Sequence, residues 1–362
     1  MSKLDTKPYK GVRDFYPEDK FIQNHIFKVW RETSEVFGYE EYDASVLEPT
    51  EIYREKTGDE IVNEQSFTFL DRGGREVTMR PEMTPTVARM VAAKRRELGF
   101  PLRLYSIPNL FRYEATQRGR LREHWQLNVD IFGVANMSAE IELITLADRA
   151  LKAFGATSAD YEIRMNTHGS SEELESAISI LAKEGITNTR IDKTLARGQA
   201  YYTGIVFEFF DTNPENNRSI LGGGRYDNLT KLFGDQDLPC AGFGWGDVTM
   251  KDFLETHNLL PAYRPATALT VLLADMQLID QAVAFVVKLR MSGVNVALDF
   301  SGHKLGDQLR NAGKNKIPYA LVFGENEANS GEYAIRDLAT GEEQTVTLEQ
   351  IPAHFDKLSV NA

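Results

Sequence analysis

Two prolines four residues apart, in Leu260-Pro261-Ala262-Tyr263-Arg264-Pro265, split this chain into parts with different hydrophobic patterns. Neither proline can donate a backbone hydrogen bond, and each pushes the residue before it out of the helical region. The stretch is therefore extended, and a domain boundary is expected there: 1–260 as one domain, 261–266 as linker and 267–362 as a second domain. Behind it, apolar runs at Leu269–Ala274, Asn295–Phe300 and Tyr319–Phe323 alternate with helical patterns at Met276–Met291 and Lys304–Ala312. That alternation specifies a small α/β domain with a largely parallel sheet, and Tyr333–Asp337 with Gln344–Leu348 reads as a hairpin at its edge.

The front part obeys other rules. Apolar positions from Phe21 to Phe37 recur at helical spacing, with Gly38 to end the helix. Gln65–Leu70, Glu76–Met79 and Leu102–Ile107 read as strands of an antiparallel sheet. A helix over Ser138–Phe154 is expected to be capped by Ser138, and Ser170 with Glu173 has the spacing of a capping box for another that ends near Gly185. Tyr201–Phe210 fits a buried strand, and Gly222-Gly223-Gly224 reads as a turn leading into a helix. The fold class is α/β: an α+β domain with an antiparallel sheet flanked by helices, followed by the smaller α/β domain.

Composition narrows the function. Over 362 residues the net charge is −12, with 42% hydrophobic and 26% charged residues, which suits a folded core and excludes wholesale disorder. A negative chain is ill suited to coating nucleic acid, although Lys94-Arg95-Arg96 and Arg118–Arg122 are local basic patches. The first residues lack a signal-peptide core and about 18 uninterrupted apolar residues occur nowhere, so a soluble, cytoplasmic protein with no membrane partner is expected. Cys240, the one cysteine, reads as a core thiol.

Five segments carry chemistry. Arg80-Pro81-Glu82-Met83-Thr84-Pro85 sets a carboxylate and a hydroxyl in a rigid loop, suited to an amino group, though such loops are commonly plain turns. Phe111-Arg112-Tyr113-Glu114, then Gly119, Arg120, Arg122 and His124–Asp130, offers arginine forks for a phosphate; the plain alternative is a surface ion pair. Arg197, beside Tyr201 and Tyr202 and ahead of an apolar strand, needs an anionic partner, which a substrate phosphate can supply. Gly222-Gly223-Gly224-Arg225-Tyr226-Asp227 permits either close approach of a ligand or a tight turn. Ala241-Gly242-Phe243-Gly244-Trp245-Gly246-Asp247 offers a flat strand floor.

These segments, in this order and preceded by Lys10-Gly11-Val12-Arg13-Asp14-Phe15, resemble the histidyl-tRNA synthetase family of class II aminoacyl-tRNA synthetases over nearly the whole chain. The resemblance implies a histidine-tRNA ligase that uses ATP and Mg²⁺, binds L-histidine and tRNA(His), and reads the anticodon with its C-terminal domain. Carried over by position, Arg112 would hold the α-phosphate and the histidine carboxylate, and Arg197 would bridge the same two groups. Glu114, Arg120 and His124 match ATP contacts. Glu82, Thr84 and Gln126 match contacts to the amino group, and Asp130 and Tyr202, with Tyr201 beside them, match the readers of the imidazole. Helix Phe21–Phe37 and the strand ending at Pro49 resemble motif 1, which implies a homodimer.

Two departures stand out. Gly246-Asp247-Val248-Thr249 replaces the motif 3 Gly-Leu-Glu-Arg, so the arginine that grips the γ-phosphate is missing; the form present resembles a cyanobacterial and plastid subgroup. Between Asn166 and Arg197 lie only 30 residues where the family carries a helical insertion, of which 167–190 would be a remnant. Both departures also fit the synthetase-like regulatory subunit of ATP phosphoribosyltransferase, which binds without charging tRNA but lacks the C-terminal α/β domain.

Overall fold

Along Glu123–Phe132, Leu127, Val129 and Ile131 alternate with Gln126, Asn128 and Asp130, so the strand has an apolar face and a polar face. The apolar residues enter a core shared with Ile26 and Trp30 of helix Pro17–Val36 and with Leu143 and Ala147 of helix Ser138–Ala153. The polar face is left to line a pocket. The computed structural model describes residues 4–54, 65–195, 202–216, 218–234 and 237–359.

This strand belongs to a nine-stranded sheet. Its spatial order is Glu40–Glu41, Leu102–Ser106, Glu123–Phe132, Cys240–Gly246, Ser219–Arg225, Ile205–Asp211, Tyr161–Thr167 and Thr189–Ile191, with Asn109–Phe111 paired beside the long strand. Interior neighbours run antiparallel and the two outermost pairs run parallel. A separate three-stranded sheet joins Leu47–Pro49, Glu76–Met79 and Phe67–Leu70. The strands expected to form one sheet are thus shared between two, since period-two patterning fixes a strand's faces but not its neighbours.

Two further expectations are corrected. Gly222, Gly223 and Gly224 lie inside strand Ser219–Arg225, and only a short 3₁₀ segment, Leu229–Phe233, follows. The glycines serve strand packing: a Cβ on Gly223 would lie 2.2 Å from the Gly242 carbonyl oxygen and 2.5 Å from the Phe243 Cβ. Helix Ser138–Ala153 is capped from Asn136, whose Oδ1 accepts from the Ser138 amide at 3.0 Å, so Ser138 opens the helix rather than capping it. Ser170 does cap helix Ser171–Lys183, accepting from the Glu172 amide at 3.1 Å.

The chain divides into two compact units at Pro261 and Ala262. In the second, the sheet order is Val296–Leu298, Leu269–Leu273, Tyr319–Phe323, Glu332–Asp337 and Glu343–Thr347; the first three run parallel and the rest antiparallel. Val271, Phe285, Phe323 and Tyr333 are in its own core. A terminal helix, Ile351–Ser359, was not evident from the sequence pattern.

Candidate active site

The polar face of Glu123–Phe132 opens into two cavities. The smaller, of about 140 Å³, is lined by Glu82, Thr84, Asn128, Asp130, Tyr202 and Tyr226. The larger, of about 300 Å³, is lined by Glu114, Arg120, His124, Glu208 and Thr249. Arg112, Gln126, Gly222 and Gly244 belong to both, so the cavities meet at Arg112.

The floor is bare backbone for a physical reason. A Cβ on Gly242 would lie 2.3 Å from Asp130 Oδ1, and one on Gly244 would lie 2.9 Å from the Gln126 carboxamide. Alternating glycines in Cys240–Gly246 therefore make room for the functional side chains of the neighbouring strand.

Each wall residue is held by its local structure. Arg80 is buried and donates to the carbonyls of Asn109 at 3.0 Å and Ala44 at 2.7 Å, stapling the loop that presents Glu82 and Thr84. Thr84 opens helix Thr84–Lys94, where Pro85 suits the first turn. Arg112 Nε donates to the Pro81 carbonyl at 2.9 Å, and its guanidinium stands 4.0 Å from Glu114. Arg120 lies 3.9 Å from the same carboxylate, so Glu114 gathers two arginines beside the larger cavity. Burial first, then the charges of Arg112 and Arg13, push His124 down to about 3, so it presents a neutral ring.

Asp130 is 3% exposed, and the Tyr226 hydroxyl donates to its Oδ1. Cys240 is a core thiol: burial, then Asp130 and Asp227, push it up and leave it unreactive at neutral pH. Arg225 donates twice to buried Glu140, at 2.6 and 2.8 Å, and to the carbonyls of Val134 and Asn136, both at 2.9 Å. Its own carbonyl accepts from the Thr203 amide at 2.8 Å, which fixes the backbone next to Tyr202. Asp247 pairs with Arg13 at 2.8 Å and accepts from the Trp125 amide at 3.0 Å, joining the segment 10–15 to the head of the long strand.

The structure thus gathers Glu82, Thr84, Arg112, Glu114, Arg120, His124, Gln126, Asp130 and Tyr202 around two adjoining cavities. Arg197 and Tyr201 lie outside the described residues. Sequence reading missed Asn128 and Tyr226 as lining residues. Asn128 could have been found from the two-residue repeat between Gln126 and Asp130, whereas the contact from Tyr226 to Asp130 has no local signal.

A family model described as histidyl-tRNA synthetase matches residues 11–165 and 163–246, and one described as an anticodon binding domain matches 269–358. The chain belongs to the histidyl-tRNA synthetase family. The histidine–tRNA ligase of Leptospira biflexa is 37% identical, the comparison covering 96% of this chain and 97% of that one. That of Thermoplasma volcanium is 34% identical, over 96% and 98%. A crystal structure of apo S. aureus histidyl-tRNA synthetase superposes with a TM-score of 0.84 at 25% identity, covering 98% of this chain and all of the other. The comparison with the L. biflexa ligase runs over 422 positions, whereas 96% of 362 residues is about 348; at roughly 74 positions the relative has a residue and this chain has none. The match to the histidyl-tRNA synthetase family is itself divided at 163–165.

Proposed function

We propose that the two cavities perform the histidine–tRNA ligase reaction, histidine occupying the smaller and ATP the larger. The observation that carries this is their junction at Arg112, which lets one guanidinium touch both an amino-acid carboxylate and an α-phosphate. A histidine carboxylate oxygen attacks the α-phosphorus, forming the acyl–phosphate bond of histidyl-adenylate and expelling pyrophosphate. The terminal ribose hydroxyl of tRNA(His) then attacks the acyl carbon and expels AMP. No side-chain nucleophile is needed, so catalysis rests on orientation and on cations placed against developing charge.

In this reading Glu82, Thr84 and Gln126 hold the ammonium group, and Asp130 and Tyr202 pair with the imidazole nitrogens. Tyr226 keeps the Asp130 carboxylate aimed. Glu114 and Arg120 contact ATP, and neutral His124 offers its ring to the adenine. The roles of Arg197, as the cation bridging carboxylate and α-phosphate, and of Tyr201 rest on the family resemblance. The described residues hold no group of three or more His, Cys, Asp or Glu able to bind a metal. Among the described residues Glu114 and Glu208 line the nucleotide cavity with carboxylates, which suits Mg²⁺, an ion that takes one or two carboxylates and otherwise phosphates and water. When bound it would neutralise charge on the β- and γ-phosphates.

Helix Pro17–Val36 and strand Leu47–Pro49 are proposed as the homodimer interface, in a cytoplasmic protein. No helix among the described residues is long and apolar enough to cross a membrane. The Gly-Asp form of motif 3 supports a place in the cyanobacterial and plastid subgroup. The test is ATP–pyrophosphate exchange with each amino acid in turn. Exchange with histidine alone is expected; histidine binding without exchange would favour the regulatory-subunit reading instead.

A further inference from the structure

In the second unit, strand Val296–Leu298 and helix Leu305–Lys314 border a cavity of about 450 Å³. Small side chains, those of Thr270, Ala297 and Ala312, line it and leave its volume open. Phe300, also in the lining, is 60% exposed, a large ring held in water beside a hollow. Asn311, Lys314 and Asn315 line it from one side of the helix, three and four residues apart. The loop between strand and helix is fixed in place. The Asp299 amide donates to the Val271 carbonyl at 2.9 Å, and Asp299 Oδ1 accepts from the Ser301 amide at 2.8 Å. Gln308, 1% exposed, donates to the carbonyls of Leu273 at 2.9 Å and His303 at 2.7 Å, and accepts from the Leu273 amide at 2.9 Å. It clamps the loop to strand Leu269–Leu273.

An exposed ring beside an open slot, with amides, a carboxylate and an ammonium on its walls, is equipped to take an unstacked nucleobase. The ring stacks on the base, the polar groups meet its edge and the cation meets its phosphate. The carboxylate of Asp299 narrows the choice, because it only accepts hydrogen bonds. Guanine, unlike the other RNA bases, presents two adjacent N–H donors, at N1 and N2, on its pairing edge. We propose that this cavity takes one guanine of the tRNA anticodon, with Phe300 stacked on the base, Asp299 accepting from N1 and N2, and Lys314 on the adjoining phosphate. The histidine codons, CAU and CAC, pair with the anticodon GUG, so a guanine stands at either end. The inference goes beyond the ligase reading by naming where the second unit reads its RNA, and it rests on that reading for which RNA is read.

The experiment measures binding of RNA stem-loops to the full chain, the loop carrying GUG, or GUG with inosine in place of its first or its last guanine. Inosine lacks only the N2 amino group. One of the two inosine loops should bind the unaltered chain about fivefold or more weakly than GUG, and the other much less so. Asp299→Asn can keep the bond from the Ser301 amide; it should bind the GUG loop about tenfold more weakly and lose the inosine penalty. Phe300→Leu should lose about tenfold on every loop, as removal of a stacked ring does. Lys314→Ala should lower the slope of log affinity against log salt by about one. The proposal is overturned if neither inosine weakens binding, if the penalty persists in Asp299→Asn, or if Phe300→Leu binds as the unaltered chain does. It is overturned too if every loop binds weakly to a chain that keeps histidine-dependent pyrophosphate exchange. If the unaltered chain shows no such exchange, the ligase reading fails while the comparison of loops still decides the cavity.

Discussion

At the scale of single residues, the proposed selectivity for histidine rests on one short carboxylate and the hydroxyl that donates to it. Asp130 is nearly enclosed, and the Tyr226 hydroxyl donates to its Oδ1. Asp130→Ala should raise the KM for histidine by about tenfold or more, because a pocket with an unmatched polar group discriminates strongly, and leave the KM for ATP near its original value. Tyr226→Phe should move the histidine KM the same way by less. Pyrophosphate-exchange kinetics decide: equal losses for both substrates would make Asp130 structural. Here the sequence was half legible. Gln126 and Asp130 stand out as polar residues at even spacing in an apolar strand, but Tyr226 lies 96 residues beyond Asp130, and only the register of the intervening strands brings them together.

At the scale of elements, glycine means different things in different places, and this explains where the sequence misled. Clustered glycines signal turns when only near neighbours are considered, so Gly222–Gly224 read as one. In the sheet Gly223 is demanded by the later strand Cys240–Gly246, and Gly224 by the Ile205 carbonyl and Val206 of the earlier strand Ile205–Asp211. Gly242 and Gly244, by contrast, were legible as strand, since they alternate with buried bulky residues. Gly223→Ala should therefore be severely destabilising, by about 3 kcal/mol or more, since backbone rather than a movable side chain blocks the new methyl. Gly306→Ala, in helix Leu305–Lys314 with nothing within 4 Å of its Cβ position, should stabilise by about 0.5–1 kcal/mol. Thermal melts of the two variants should shift in opposite directions.

At the scale of the whole molecule, the effect of Pro261 and Pro265 on the backbone is local and open to sequence reading, whereas the partition of strands between sheets was not, because pairing is long-range. Among the described residues each unit has its own core. Met1–Pro261 alone should therefore keep histidine-dependent pyrophosphate exchange but lose tRNA charging, and the full chain should charge tRNA with a steep salt dependence. Exchange and charging assays across a salt series check this; charging that survives removal of Ala262–Ala362 would refute it. An enzyme that joins an amino acid to the tRNA bearing its anticodon writes one line of the genetic code. Here the two ends of that line correspond to separately built cores on one chain, so a single crossover between Pro261 and Ala262 would give either core a new companion.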